Sequence, residues 1–215
     1  MPTATLEEYL ECIYKLSEQG AVRPTQLAEA MGVSGPTVTA TLRRLETQGF
    51  VSRQGHEIDL TGEGTKRALD IVRRHRLAER FLVDALGLKW DEAHEDACLL
   101  EHALSPRVLT ALEKFLENPA VCPHGHPIPG ADGSMRTVSG MLLSDAGVGC
   151  TARVLRVTED DELLGYIGDL GLKPGAEVKV VEVAPFGGPL TVTVAGATTA
   201  IAREVARRVT VEVAG

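Results

Sequence analysis

The stretch SGPTVTATLRRLETQGFVSRQGHEIDLT, residues 34–61, decides the fold. Ser34 is a good helix N-cap, and Gly35-Pro36 opens the helix, because a proline there gives up an N–H that would have no partner anyway. The helix runs through TVTATLRRLETQ to Gly49. FVSRQGHEIDLT then reads as two short strands around a turn at Gln54-Gly55, a β-wing. Upstream, Leu6, Tyr9, Leu10, Ile13, Tyr14 and Leu16 recur at helical spacing over residues 6–18, with Gly20 as the stop. PTQLAEAM, residues 24–31, predicts a second, shorter helix between Pro24 and Gly32. Two helices, a turn, a third helix and a wing within about 60 residues describe a winged helix-turn-helix.

That arrangement carries an expectation of double-stranded DNA as partner. The third helix would enter the major groove, which admits one α-helix. Its first turn, Ser34, Gly35, Pro36 and Thr37, offers small polar and methyl groups suited to thymine methyls and phosphates. Thr39 and Thr41 sit further along, and Arg43 and Arg44 can reach phosphate. Singly, these residues read equally well as a good helix start with solvated arginines; the arrangement as a whole points to DNA.

Downstream, residues 62–86 read as one long helix, from Gly62-Glu63-Gly64 through TKRALDIVRRHRLAERFLVDAL to the stop at Gly87. Asp91 can cap DEAHEDACLLEHAL, and Ser105-Pro106 starts PRVLTALEKFLEN. Residues 118–140 are rich in Pro and Gly and read as an ordered linker or loop. After residue 141 the period changes: TARVLRVT, AEVKVVEVAP, LTVTVAGAT and RRVTVEVA alternate or run β-branched, with DDELLGYIGDLGLKPG between the first two as a short helix and a turn. This predicts a small barrel of about five strands. The fold class expected is α+β, with a winged helix-turn-helix over 1–70, a helical region with linker over 71–140, and a small β-barrel over 141–215; the family resemblance described below implies that the middle region carries dimerisation and metal binding and that the barrel is SH3-like.

The bulk composition is compatible. The chain has 215 residues, 44% hydrophobic and 24% charged, enough for two domains or three small ones. No apolar run approaches the ~18–20 residues of a membrane span, so no membrane partner is expected. The N-terminal MPTATLEEYLECIYKL carries acids where a signal peptide needs bases and an apolar core, so a cytosolic location is expected. Cys12, Cys98, Cys122 and Cys150 form no CxxC pair and read as thiols or metal ligands. The net charge of −8 argues against DNA binding on its own, since phosphate affinity comes from Lys and Arg. The distribution matters more: Arg43, Arg44 and Arg53 lie together, followed by Lys66, Arg67, Arg73, Arg74, Arg76 and Arg80. Bound cations would reduce the repulsion between an acidic dimer and DNA.

A second constellation supplies a place for such cations. His94, Cys98, Glu101 and His102 stand at i, i+4, i+7 and i+8, one narrow stripe of one helix. Imidazole, thiolate and carboxylate are transition-metal ligands. His75 and Glu79 form another i, i+4 pair on the preceding helix, and two antiparallel helices would bring the pairs face to face. Glu8 and Glu11 on the first helix add carboxylates. Any one of these reads as a core or surface residue; the stripe beside the second pair reads as a metal site.

RRHRLAERFL (73–82) followed by AHEDACLLEH (93–102), after SGPTV (34–38), resembles the diphtheria toxin repressor family of iron- and manganese-dependent regulators. The resemblance covers the whole chain. LLGYIGDLGLKPGAEVKVVEVAPFGGPLTVTV is similar to the SH3-like domain of ferrous-iron transport accessory proteins, which some members of that family carry. The resemblance implies a homodimeric, non-enzymatic repressor that binds operator DNA when Mn²⁺ or Fe²⁺ fills two sites per subunit. In iron-type members an ancillary site corresponds to His75, Glu79 and His94, with help from the SH3-like domain, for which Glu159, Asp160, Glu162 and Leu163 are the candidate positions. A primary site corresponds to Cys98, Glu101, His102 and a residue of the first helix. Iron-type members have Met at that last position, where this sequence has Glu8; manganese-type members have an acid both there and at the place of Cys98. CPHGHPIP (122–129) resembles a subset of manganese-responsive members in which the cysteine, Cys122, is a ligand; a buried linker thiol is the other reading of Cys122.

The metal is therefore balanced between a thiolate that suits softer ions and a carboxylate-rich set, Glu8, Glu11, Glu79 and Glu101, that suits Mn²⁺. The balance falls on Mn²⁺. Three other functions stay open at this level: a winged-helix regulator with an organic effector, a metal-transport accessory protein, and a zinc hydrolase built on three ligands and water. No nucleophile elbow, phosphate loop or paired-acid site favours an enzyme.

Overall fold

The computed structural model describes residues 4–18 and 20–213, with the side chains of Asp161 and Glu162 outside the described set. The chain divides into two compact units. The first holds the chain up to His75 together with Glu101–Leu104 and Pro129–Ser134; the second holds Arg76–Leu100, Ser105–Ile128 and the chain from Met135.

The first unit is the winged helix. Helices α1 (Ala4–Ser17), α2 (Pro24–Ala30) and α3 (Gly35–Thr47) precede the hairpin of β1 (Val51–Gln54) and β2 (Glu57–Leu60). The hairpin is antiparallel, with Val51 opposite Leu60 and Gln54 opposite Glu57, and Val22 makes a single antiparallel bridge to Ile58. The helical spacing of the apolar residues puts Leu6, Tyr9, Leu10 and Ile13 of α1 in one core with Leu27, with Val38, Leu42 and Leu45 of α3, and with Val51, Ile58, Ala68 and Ile71. Full burial of each large aliphatic side chain contributes about 1.5–3 kcal/mol, so α1 and α3 are held to one frame. Ser34 caps α3 through its Oγ, which accepts from the Thr37 amide at 3.4 Å. Helix α4 (Gly62–Arg80) starts tight against the wing: a Cβ on Gly64 would come 1.9 Å from the Phe50 carbonyl oxygen.

The helix expected to run to residue 86 changes character. After Arg80 it widens into a π-helical turn, Phe81–Ala85, where the Leu86 amide bonds the Phe81 carbonyl at 3.2 Å, and Gly87 ends it at φ +74°. Helices α5 (Ala93–Glu101) and α6 (Pro106–Phe115) follow, the latter capped by Ser105.

The second unit also contains the C-terminal sheet. Its strands are β3 (Met141–Leu142), β4 (Thr151–Val157), β5 (Glu177–Val183), β6 (Leu190–Val194), β7 (Ala197–Ile201) and β8 (Val209–Val213), antiparallel in the order β3-β8-β4-β5-β6-β7. Helix α7 (Asp161–Asp169) and the single turn α8 (Arg203–Ala206) contribute Leu164, Ile167 and Ala206 to the core of the sheet, beside Val154, Val178, Val192 and Val211. The sheet has six strands where about five were expected. β3 is two residues long, too short to show alternation.

Candidate metal centres and DNA-binding face

Ser34, Gly35, Pro36, Thr37, Thr39, Arg43 and Arg44 are all exposed along α3. Ser34 and Thr37 pair their hydroxyls at 2.9 Å, and the Thr39 hydroxyl donates back to the Gly35 carbonyl at 3.0 Å. Thr41 corrects the expectation of a DNA contact: it is 7% exposed, because it follows Val38 by three residues and shares its core-facing side. Arg53 on the wing is held by Glu46 of α3 through two contacts of 2.6 Å, so the wing is clamped to the end of α3.

The first unit contains a buried cluster of imidazoles and carboxylates. Helix α1 presents Glu7, Glu8 and Glu11, α4 presents His75, and the end of α5 presents Glu101 with His102 following. His75 Nδ1 lies 2.7 Å from Glu101 Oε2, and both side chains are 1% exposed. Glu11, His75 and Glu101 each offer a ligand atom within 4.8 Å of the others. The second oxygen of Glu101 lies 3.3 Å from His102 Nε2, which is also 3.7 Å from Glu8 Oε1. Glu101 thus stands between two donor groups, Glu11 with His75 on one side and His102 with Glu8 on the other. His102 Nε2 is buried and makes no hydrogen bond among the described residues. A buried lone pair surrounded by carboxylate oxygens fits a divalent cation. Burial pushes the Glu101 pKa up, as does the charge of Glu11, while His75 and His102 oppose the shift.

A second cluster lies within the second unit. Glu79 of α4, Cys122 and His124 of the Pro-rich segment, and Glu159 just after β4 bring their ligand atoms within 4.8 Å of one another. His124 Nδ1 is 3.5 Å from Glu79 Oε1, and Cys122 Sγ is 3.8 Å from Glu159 Oε1. His124 Nε2 donates to the Trp90 carbonyl at 2.8 Å, which turns the Nδ1 lone pair of the neutral ring towards the carboxylates. The Cys122 thiol is pushed far up by burial and by the charges of Glu79 and Glu159, with Arg76 opposing. Burial lowers the His124 pKa, but Glu79, the Trp90 carbonyl and Glu159 outweigh it and the net shift is upward. Arg76 is itself 2% exposed; it donates to the Pro127 carbonyl at 2.7 Å and stands 3.9 Å from Glu159. Two carboxylates, an imidazole and a thiol in one dry pocket suit a transition metal, which would compensate the charge that burial penalises.

The stripe His94, Cys98, Glu101, His102 is divided by the fold. Glu101 and His102 belong to the first cluster, whereas His94 and Cys98 lie in the second unit, with His94 Nδ1 3.4 Å from Glu79 and Cys98 Sγ 3.7 Å from His94 Nε2. Among the candidates from the C-terminal region, Glu159 enters a cluster, Asp160 is the N-cap of α7, and Leu163 packs against the apolar core; the Glu162 side chain lies outside the described set. His124 was not foreseen. Its signal was present in CPHGH, where an imidazole two residues from a candidate thiol has ligand spacing. Glu7 was also missed: its carboxylate accepts from Arg67 and stands 3.0 Å from His102 Nδ1.

A winged helix whose first helix also lines a buried carboxylate–imidazole cluster defines a metal-responsive DNA-binding regulator. The chain belongs to the iron-dependent repressor family: residues 1–57 match its N-terminal DNA binding domain and residues 61–130 its metal binding and dimerisation domain, while residues 141–213 match the FeoA domain. It is 36% identical to the iron-dependent repressor IdeR of Mycobacterium leprae, over 97% of this chain and 96% of that protein. It is 34% identical to the diphtheria toxin repressor of Corynebacterium glutamicum, over the same shares. Among solved structures it is similar to a manganese-dependent transcriptional repressor in complex with manganese, with a TM-score of 0.90 at 36% identity over 97% of this chain and all of that one. The manganese regulator SloR superposes with a TM-score of 0.82 at 33% identity, over 97% and 98% of the two chains.

Proposed function

We propose that this chain is a cytoplasmic, homodimeric repressor of metal-homeostasis genes, with Mn²⁺, or Fe²⁺ in its place, as co-repressor, and that it acts by binding alone, without catalysis. The observation that carries this reading is the shared carboxylate of Glu101, buried between His75 and His102 and facing Glu8 and Glu11 on the first helix. A bound divalent cation supplies positive charge and directional coordination there. The side chains do the rest. Glu8 and Glu11 tie α1 to α4 and to the end of α5, and α1 shares its core with α3. Fixing α1 therefore fixes the presentation of the exposed first turn, Ser34 to Thr37, with Arg43 and Arg44 as phosphate contacts. In a symmetric dimer this sets the spacing of two recognition helices, which must match two half-sites. Leu86, Leu99, Val108 and Phe115 leave apolar surface exposed on the protomer, which supports a dimer contact.

The second pocket adds Glu79, Cys122, His124 and Glu159 as ligands, with His94 and Cys98 extending the donor set. The all-oxygen and nitrogen donors of the first cluster favour Mn²⁺, and the thiol of the second accepts softer ions. Functional divisions at 1–70, 71–140 and 141–215 accompany this assignment. The test is operator binding titrated with Mn²⁺, Fe²⁺, Co²⁺ and Zn²⁺ at buffered free concentrations. Binding that needs Mn²⁺ or Fe²⁺ and is reversed by chelator is expected; operator binding indifferent to every metal and to chelator would reject the proposal.

A further inference from the structure

We infer that Glu7, braced by Arg67, sets the tautomer and rotamer of His102 and so the metal affinity of the first cluster, without being a ligand itself. This rests on the proposal that His102 binds metal. Both oxygens of Glu7 are committed: Oε1 accepts from Arg67, and Oε2 lies 3.0 Å from His102 Nδ1. An ionised carboxylate can only accept, so the hydrogen of that contact sits on Nδ1. In the neutral ring Nε2 then carries the lone pair. That atom is buried, lacks a hydrogen bond among the described residues, and faces Glu101 at 3.3 Å and Glu8 at 3.7 Å. The tautomer that Glu7 selects is thus the one that aims a donor into the cluster.

Arg67 makes this a positioning role rather than a ligating one. Its guanidinium binds Glu7 and also approaches Asp70 at 3.8 Å, and Asp70 is in turn held by Arg74 at 2.8 Å. The pairing neutralises Glu7 and keeps its carboxylate on the far side of the imidazole from Nε2. A carboxylate behind a ligating histidine fixes ring orientation and raises its basicity, and loss of such a partner typically weakens metal binding about 10- to 100-fold. Glu7 and Glu11 are four residues apart on α1 and lie on one helix face, so the same face both orients a ligand and supplies one.

The test uses the full chain with ¹⁵N-labelled histidine, metal-free, at a pH where the ring is neutral. Long-range ¹H–¹⁵N spectra report the His102 tautomer, assigned with His102→Gln. The native protein should show Nδ1–H. Glu7→Gln, which keeps shape and loses charge, and Glu7→Ala should both move the ring towards Nε2–H. Both should also weaken, by about 10- to 100-fold, the component of Mn²⁺ binding that His102→Gln removes. Variants that keep Nδ1–H, or that lose Mn²⁺ with the tautomer unchanged, would overturn the inference. If His102→Gln leaves Mn²⁺ binding intact, the ligand assignment of His102 fails instead, and the tautomer spectra still decide what Glu7 does.

Discussion

Glu101 is where burial, charge and the proposed metal site meet in one side chain. Its folded pKa is raised, first by burial. Between the ordinary glutamate value of about 4.3 and the raised folded value, the folded state binds more protons than the unfolded state. Stability of the metal-free protein therefore falls as pH climbs through that window and stays reduced above it. A cation favours the ionised form, so the thermal gain on adding Mn²⁺ should grow with pH. Glu101→Gln should remove the part of this pH dependence that belongs to Glu101, raise the midpoint of the metal-free protein at pH 8, and abolish the Mn²⁺ gain at this cluster. Melting curves at pH 5 and pH 8, with and without Mn²⁺, check this; a variant whose Mn²⁺ gain matches the native one at both pH values contradicts it. At this scale the sequence was legible wherever helical spacing applies. His75 and Glu101 stand on regular helices, and His102 follows directly after the last residue of α5, so helical spacing places all three. His124 does not, since it lies in a loop without a period, and Glu7 was hidden because three acids on one helix cannot be ranked before their partners are known. Thr41 was misplaced for the opposite reason: composition suggested a DNA contact, but its phase on α3 is the core phase.

Among the elements, the Pro-rich segment is the one on which the second pocket depends. It is stitched to β4: the Val157 amide bonds the His124 carbonyl at 3.0 Å, and His126 Nε2 donates to the Val157 carbonyl at 2.8 Å. Gly125 lies between those two histidines at φ +88°, and a Cβ there would fall 2.0 Å from the Leu155 carbonyl oxygen. The backbone sign alone costs an L-residue about 1–2 kcal/mol, and the clash adds to it. Gly125→Ala should therefore displace Cys122 and His124 and remove the metal bound there, while the first cluster still loads. Stoichiometry of Mn²⁺ binding is the readout, and an unchanged stoichiometry would show that the loop tolerates the shift. The sequence showed this segment as ordered loop because Pro and Gly break helices and strands, but it could not show what the loop packs on. The π-helical turn at Phe81–Ala85 and the strand β3 were unreadable for a related reason. A five-residue widening leaves the apolar period nearly intact, and a two-residue strand has no period.

For the molecule as a whole, charge sets a problem for DNA binding. A chain of net charge −8 must approach a polyanion, and the carboxylates of α1 lie in the same unit as α3. Arg43 and Arg44 are exposed on α3, whereas Arg53 is engaged with Glu46. Arg44→Ala should weaken binding to all sequences about equally and reduce the salt slope by about 1; a slope equal to the native one would remove Arg44 from the phosphate contacts. The order of elements, a winged helix, then further helices, then a C-terminal sheet, was legible from the change of period alone, although the chain divides into two compact units. The assignment of the candidate donors to two units was not, because α4 and α5 read as continuous helices and nothing in a stripe marks a unit boundary.

In the proposed function the cluster around Glu101 couples metal to DNA. Its most direct measurement is operator affinity as a function of free Mn²⁺, by fluorescence anisotropy, for the native chain and for the double variant Glu101→Gln/His102→Gln, with circular dichroism and sedimentation confirming that both remain folded dimers. The native chain should gain about 5- to 150-fold in operator affinity on saturation with Mn²⁺, the range expected of a coupling of about 1–3 kcal/mol. The double variant should stay at the metal-free level at every Mn²⁺ concentration. A folded, dimeric double variant that still gains as much affinity as the native chain would contradict coupling through this cluster.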